Sequence, residues 1–156
     1  MSTSLNLVIY RTKDEKLIEE DLKTVRCEEV SGLLLEKINS IFPMIKREVY
    51  FDESLEESFE IECFSSSDID GVCALLEEIF LDLLKFENNN LNNKTGSAYQ
   101  ENESTKLVAD IVSGESESNP IELAVVRFHV LTGIIGIFAD VRNKFCNEVG
   151  AVIKLG

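Results

Sequence analysis

Tryptophan is absent from this chain, proline occurs twice and histidine once. Histidine is the usual acid–base group and a leading metal ligand. The lone His129 lies in an apolar run with no nucleophile or base nearby in sequence, so a structural or surface role is expected of it. A couple with Cys63, Cys73 or Cys146 stays open if folding brings them together. The four cysteines, Cys27, Cys63, Cys73 and Cys146, are irregularly spaced and include no CxxC pair. That pattern indicates neither a zinc site nor a disulfide framework, and reduced, mostly buried thiols are expected.

Other chemistry-bearing motifs are missing too. No GxxxxGK followed by Ser or Thr occurs, and Gly133-Ile134-Ile135-Gly136 is too short and too apolar to cradle a phosphate. Asp68-Ile69-Asp70-Gly71 resembles a fragment of a calcium loop without the flanking ligands, and helix capping explains it more simply. No cofactor, metal or catalytic set is therefore expected, and the chain is read as a non-enzyme.

Long apolar runs are scarce. Charged residues interrupt stretches such as Leu75 to Asp82, and none reaches the roughly 18 residues that a membrane span needs. The beginning, Met1-Ser2-Thr3-Ser4, leads directly into a strand-like run without the basic and apolar regions of an export signal. The expectation is a cytoplasmic protein that does not enter membranes, folded as one domain over residues 1–156.

Basic charge is the last deficit. Lys and Arg number 15 against 29 Asp and Glu, a formal net charge of −14. Residues 50–104 hold 2 basic and 14 acidic groups, net −12, while the segments on either side each carry net −1. A field of that sign repels phosphate backbones and anionic lipid, and attracts basic proteins. This argues against direct nucleic-acid binding, and the expected partner is another protein, basic in charge. The plainer reading is a solvated surface that promotes solubility.

What is present patterns as alternating strands and helices. Leu5 to Tyr10 reads as a first strand. From about Asp14 to Phe42, apolar residues from Leu17 to Phe42 recur at helical spacing, the second half being the clearer helix and ending before Pro43. Met44–Phe51 and Ser58–Phe64 read as a hairpin around the acidic turn Asp52 to Glu57, and a helix follows from Asp68 to about Phe86. Residues 87–105, rich in Asn, Ser and Gly, read as a flexible polar loop. Lys106–Ser113 and Ile121–Val130 then read as strands, followed by a helix from Thr132 to Val149 and a short strand from Ala151 to Leu155. One long helix from Pro120 to Val149 is the alternative, against which Gly133 and Gly136 favour a break. The order β-α-β-β-α-loop-β-β-α-β indicates an α+β fold, a mostly antiparallel sheet with helices on one face, whose opening is ferredoxin-like by analogy alone.

The acidic hairpin and the helix after it form the candidate site. Asp52, Glu53, Glu56, Glu57, Glu60 and Glu62, with Glu77, Glu78 and Asp82 on the helix, would make one negative surface if hairpin and helix are neighbours. Tyr50, Phe51, Leu55 and Phe59 would anchor a partner there. The first expectation is an acidic protein-binding module, an inhibitor or immunity-type protein that blocks a basic partner such as a toxin or nuclease. The alternative is a scaffold or assembly subunit, including a homo-oligomer. A small enzyme using a cysteine or acidic site ranks third.

Overall fold

The computed structural model describes residues 3–93, 111–112 and 120–156. The chain opens with two long antiparallel strands, β1 (Thr3–Lys13) and β2 (Lys16–Val30), paired from Thr3↔Val30 to Lys13↔Lys16. Asp14 and Glu15 join them with φ of 50° and 65°, the two positive values that a tight two-residue hairpin turn requires.

The helix expected to start near Asp14 is thus a strand as far as Val30, and the cause is visible in the register. Ile9 pairs with Lys23 and Arg11 with Ile18, so Glu19 to Leu22 together face Tyr10, with Asp21 at φ 64°. A second shift leaves Val25 unpaired opposite the Leu7/Val8 step. Each bulge inserts residues that break period-two alternation, and Leu17, Leu22 and Val25 come to be spaced like a helix stripe. The two-residue link from β1 to β2 also removes the helix that a ferredoxin-like opening needs.

Helix α1 (Gly32–Ile41) is the part of that expectation that forms. Ser31 caps it by accepting from the Leu34 N–H at 3.1 Å, and the Phe42 N–H donates to Ile38 O at 2.8 Å just before Pro43. It carries the chain across to β3 (Ile45–Tyr50), which runs parallel to β2 through Leu17↔Val49 and Ile18↔Tyr50. β4 (Ser58–Cys63) returns antiparallel to β3, and β5 (Ala151–Leu155) pairs antiparallel with both β4 and β1. The result is one mixed sheet closed into a barrel in the order β1-β2-β3-β4-β5.

Alternation along the strands divides the buried side chains into two cores. Val8, Tyr10, Leu17, Val49, Ile61, Cys63 and Val152, drawn from all five strands, fill the barrel. Leu5, Leu7 and Ile153 point the other way and join Leu34, Ile38, Leu76, Leu83, Leu131 and Phe138 beneath the helices. Full burial of side chains of this size stabilises by about 1.5–3 kcal/mol each.

Helix α2 (Ile69–Asn93) begins as expected, after a 3-10 turn at Ser66–Asp68, but continues seven residues past Phe86. Residues 87–93 are therefore helix and not loop; the remainder of the expected loop lies outside the described residues. Helix α3 (Pro120–Asn143) replaces the strand expected at Ile121–Val130 and absorbs most of the helix expected from Thr132, which makes the single-helix alternative correct up to Asn143. Of the strand expected at Lys106–Ser113, Ile111 and Val112 are helical and the rest lies outside the described residues.

The two glycines do not break α3; they let it approach β2. A Cβ on Gly133 would fall 2.4 Å from a Glu28 carboxylate oxygen, and one on Gly136 would fall 2.3 Å from an Arg26 nitrogen. Arg26 is held there by Glu28 at 2.7 Å and Asp140 at 3.5 Å, and its pKa rises, chiefly through the Glu28 hydrogen bond.

Contrary to the reading of the apolar runs, Leu123–Asn143 has the length and composition of a membrane span. The same helix packs against α2 and β2. It also pairs Arg127 with Glu87 of α2 at 2.8 Å, both side chains being buried.

Candidate functional site

Six residue pairs, from Ile45↔Cys63 to Tyr50↔Ser58, register β3 against β4. Val49, Phe59, Ile61 and Cys63 turn into the barrel, so Lys46, Glu48, Tyr50, Ser58, Glu60 and Glu62 share the outer face. The helix layer packs on β1, β2 and β5. The outer face of the hairpin is left to solvent.

Glu48 stands directly opposite Glu60, an arrangement that repels. Local hydrogen bonds offset it. Glu48 accepts from the Ser58 hydroxyl at 2.5 Å and the Tyr50 hydroxyl at 2.9 Å, while Lys46 lies 3.5 Å from Glu60. The Ser58 bond, followed by the Tyr50 bond, holds the Glu48 carboxyl below its ordinary pKa.

The turn is ordered by its own polar groups. Asp52 accepts from both the N–H and the hydroxyl of Ser54, which keeps its pKa low, and Phe51 N–H donates to Glu57 O at 3.1 Å. Leu55 sits half-buried at φ 58° with its N–H directed to Asp52 O at 3.3 Å. Glu53, Glu56 and Glu57 project outward. Phe51 is 50% exposed and stacks at 5.0 Å on Phe59, whose other contacts reach into the barrel core. Tyr50 is half-buried beneath the Lys16 ammonium, 4.9 Å from its ring centre.

Sequence reasoning missed the cations beside this turn, because they belong to the nearly neutral N-terminal segment. Arg11 pairs with Glu53, and Lys13 lies 3.8 Å from the same carboxylate. They reach it because β2 pairs with β3 at the very end where the β1–β2 turn lies. Glu56, Glu57 and Glu62 make no ion pair among the described residues. The hairpin therefore presents a negative rim around a small aromatic platform, with Arg11, Lys13 and Lys16 along one flank.

The carboxylates of α2 form a separate group. β4 leads away from the turn over six residues, about 20 Å of extended chain, before the connection to α2 begins. Glu77 and Glu78 are exposed and Asp82 is half-buried; Glu77 lies 3.9 Å from Arg142 of α3. No hydrogen bond or ion pair links these three residues to the hairpin.

His129 is exposed on α3, not set in a strand. Cys63 and Cys73 are buried, and desolvation raises both thiol pKa values; Cys27 and Cys146 are exposed. Among the described residues no group of three or more His, Cys, Asp or Glu side chains is placed to hold a metal ion. Compared with protein-family models, with curated proteins and with solved structures, the chain matches none.

Proposed function

We propose that this chain is an acidic protein-binding module whose β3–β4 hairpin docks on a basic protein and blocks a cationic surface, as an inhibitor or immunity-type protein does against a toxin or nuclease. The supporting observation is the uncovered outer face of the hairpin. Glu60 and Glu62 lie on that face, and at the tip of the same hairpin Asp52, Glu56 and Glu57 flank the exposed Phe51, which is braced on Phe59.

Carboxylates at a rim accelerate encounter and impose salt sensitivity, while a desolvated aromatic supplies affinity. The reading rests on the hairpin alone and leaves the α2 carboxylates out of the contact. It assigns the chain no catalytic step and places it in the cytoplasm.

Affinity purification from the native cell at about 50 mM and 500 mM salt tests it, since the screening length falls several-fold over that range. Recovery of a basic protein at low salt, reduced at high salt and lost with Phe51→Ala plus Glu56→Lys, supports the proposal. Recovery that none of these changes affects overturns it.

One observation favours the scaffold reading as a second possibility. Leu81 and Leu84 on α2 and Val125 and Val126 on α3 are between 48% and 64% exposed, and large apolar side chains exposed on two helices that pack together are what an assembly contact buries. Sedimentation of the full chain as a monomer at high concentration would remove the homo-oligomeric form of that reading.

A further inference from the structure

A cleft of about 500 Å³ lies between the start of β3, the β4–α2 connection and the α3–β5 connection. Phe64, Phe145, Val149 and Ile153 contribute an apolar wall, and two arginines from separate elements, Arg47 of β3 and Arg142 of α3, open onto it. In a chain with 29 acidic residues against 15 basic ones, a half-buried guanidinium has carboxylates in excess to choose from. Arg47 nevertheless makes no ion pair among the described residues, and the charge-sensitive group beside it is the Cys63 thiol. Among the described residues the one ion pair of Arg142 is with Glu77, at 3.9 Å and largely in solvent.

A guanidinium on the wall of a partly apolar cleft, with no ion pair among the described residues, is stabilised by an anion from outside. Its planar fork matches a carboxylate in two-pronged fashion. Asp70 and Glu148 also line the cleft, so its formal charge is balanced. That balance disfavours a dianion such as a phosphate monoester, which would meet two carboxylates, and admits a single negative charge carried next to an apolar group.

We infer that this cleft binds a small carboxylate bearing an apolar side group, the chemistry presented by a free apolar amino acid or by the C-terminal residue of a peptide. The carboxylate lies between Arg47 and Arg142, and the side group lies against Phe145, Val149 and Ile153. A free amino acid would in addition place its ammonium near Asp70 or Glu148.

The test is an amide NMR titration of the full chain with three probes: N-acetylphenylalanine, phenylalanine, and N-acetylphenylalaninamide, which lacks the charge. Saturable shifts at Arg47, Ser66, Arg142 and Phe145 with the first two probes and none with the amide support the inference. Tighter binding of phenylalanine identifies the free amino acid as the source, and tighter binding of the acetylated probe identifies a peptide end. Arg47→Gln and the more exposed Arg142→Gln should each weaken binding about tenfold while leaving the remaining spectrum in place. Equal binding of the amide, shifts confined to another face, no saturable shift by about 10 mM, or unchanged affinity in both variants overturns it.

Discussion

Replacing Arg127 with Met removes the cationic half of the pair that ties α3 to α2. The Glu87 carboxylate is 2.8 Å from the guanidinium, and the two side chains are only 10% and 8% exposed. Attraction between ions so placed is opposed by the cost of removing both from water, so the pair adds little net stability while it is intact. Loss of one member differs, because the other charge stays buried. That costs about 3–5 kcal/mol, and losing the cation 5.4 Å from the Phe86 ring adds about 0.5–1 kcal/mol. For a chain of this size the drop in Tm is about 2–4 °C per kcal/mol, hence on the order of 10 °C. The double variant Arg127→Met plus Glu87→Leu removes both charges and should recover most of that loss. Urea unfolding of wild type, both single variants and the double variant gives the coupling directly. A single Arg127→Met that loses under about 1 kcal/mol, or a double variant no better than the worse single, would refute the reasoning.

Phe138→Ala, at a fully buried position packed edge-to-face against Phe64 at 5.2 Å, should lose about 3–5 kcal/mol, read as a lower urea midpoint. Gly150→Ala would set a Cβ 2.0 Å from the Tyr10 carbonyl oxygen, where backbone must move, and should cost about 1–3 kcal/mol, measured in the same way. Burial, then the nearby Glu19 carboxylate, raises the pKa of the Tyr10 hydroxyl. The folded state thus keeps a proton that the unfolded chain releases above about pH 10. The associated stability is fully present below that pH and is lost as pH rises toward the folded value, with Tyr10→Phe abolishing the loss. An alkaline absorbance titration in which all three tyrosines ionise together in the folded protein would contradict this.

The parts of the fold legible in the sequence are those whose periodicity is undisturbed. The β3–β4 hairpin alternates cleanly, α2 carries a broad apolar stripe after its Ser-rich start, and β5 is a short apolar run. β2 is not legible as a strand because bulges at Asp21 and Val25 reset its alternation twice. α3 lacks a legible period for a different reason: packed between α2 and β2, it is apolar nearly all round, and its Gly133 and Gly136 serve close approach to Glu28 and Arg26 and do not end the helix. The same distinction applies to the candidate site. The hairpin carboxylates and Phe51 could be named from spacing, whereas their neighbours Arg11, Lys13 and Lys16 arrive through strand pairing, which leaves no local signal. The arginines of the cleft, 95 residues apart in the chain, gave no local signal either.

Comparing two charge-reversed variants in the same capture experiment bears most directly on where a basic partner is held. One carries Glu56→Lys and Glu57→Lys on the hairpin turn, the other Glu77→Lys and Glu78→Lys on α2, and all four positions are exposed. Loss of the partner with the hairpin variant and its retention with the α2 variant is the outcome predicted here. Retention with the hairpin variant and loss with the α2 variant would contradict it.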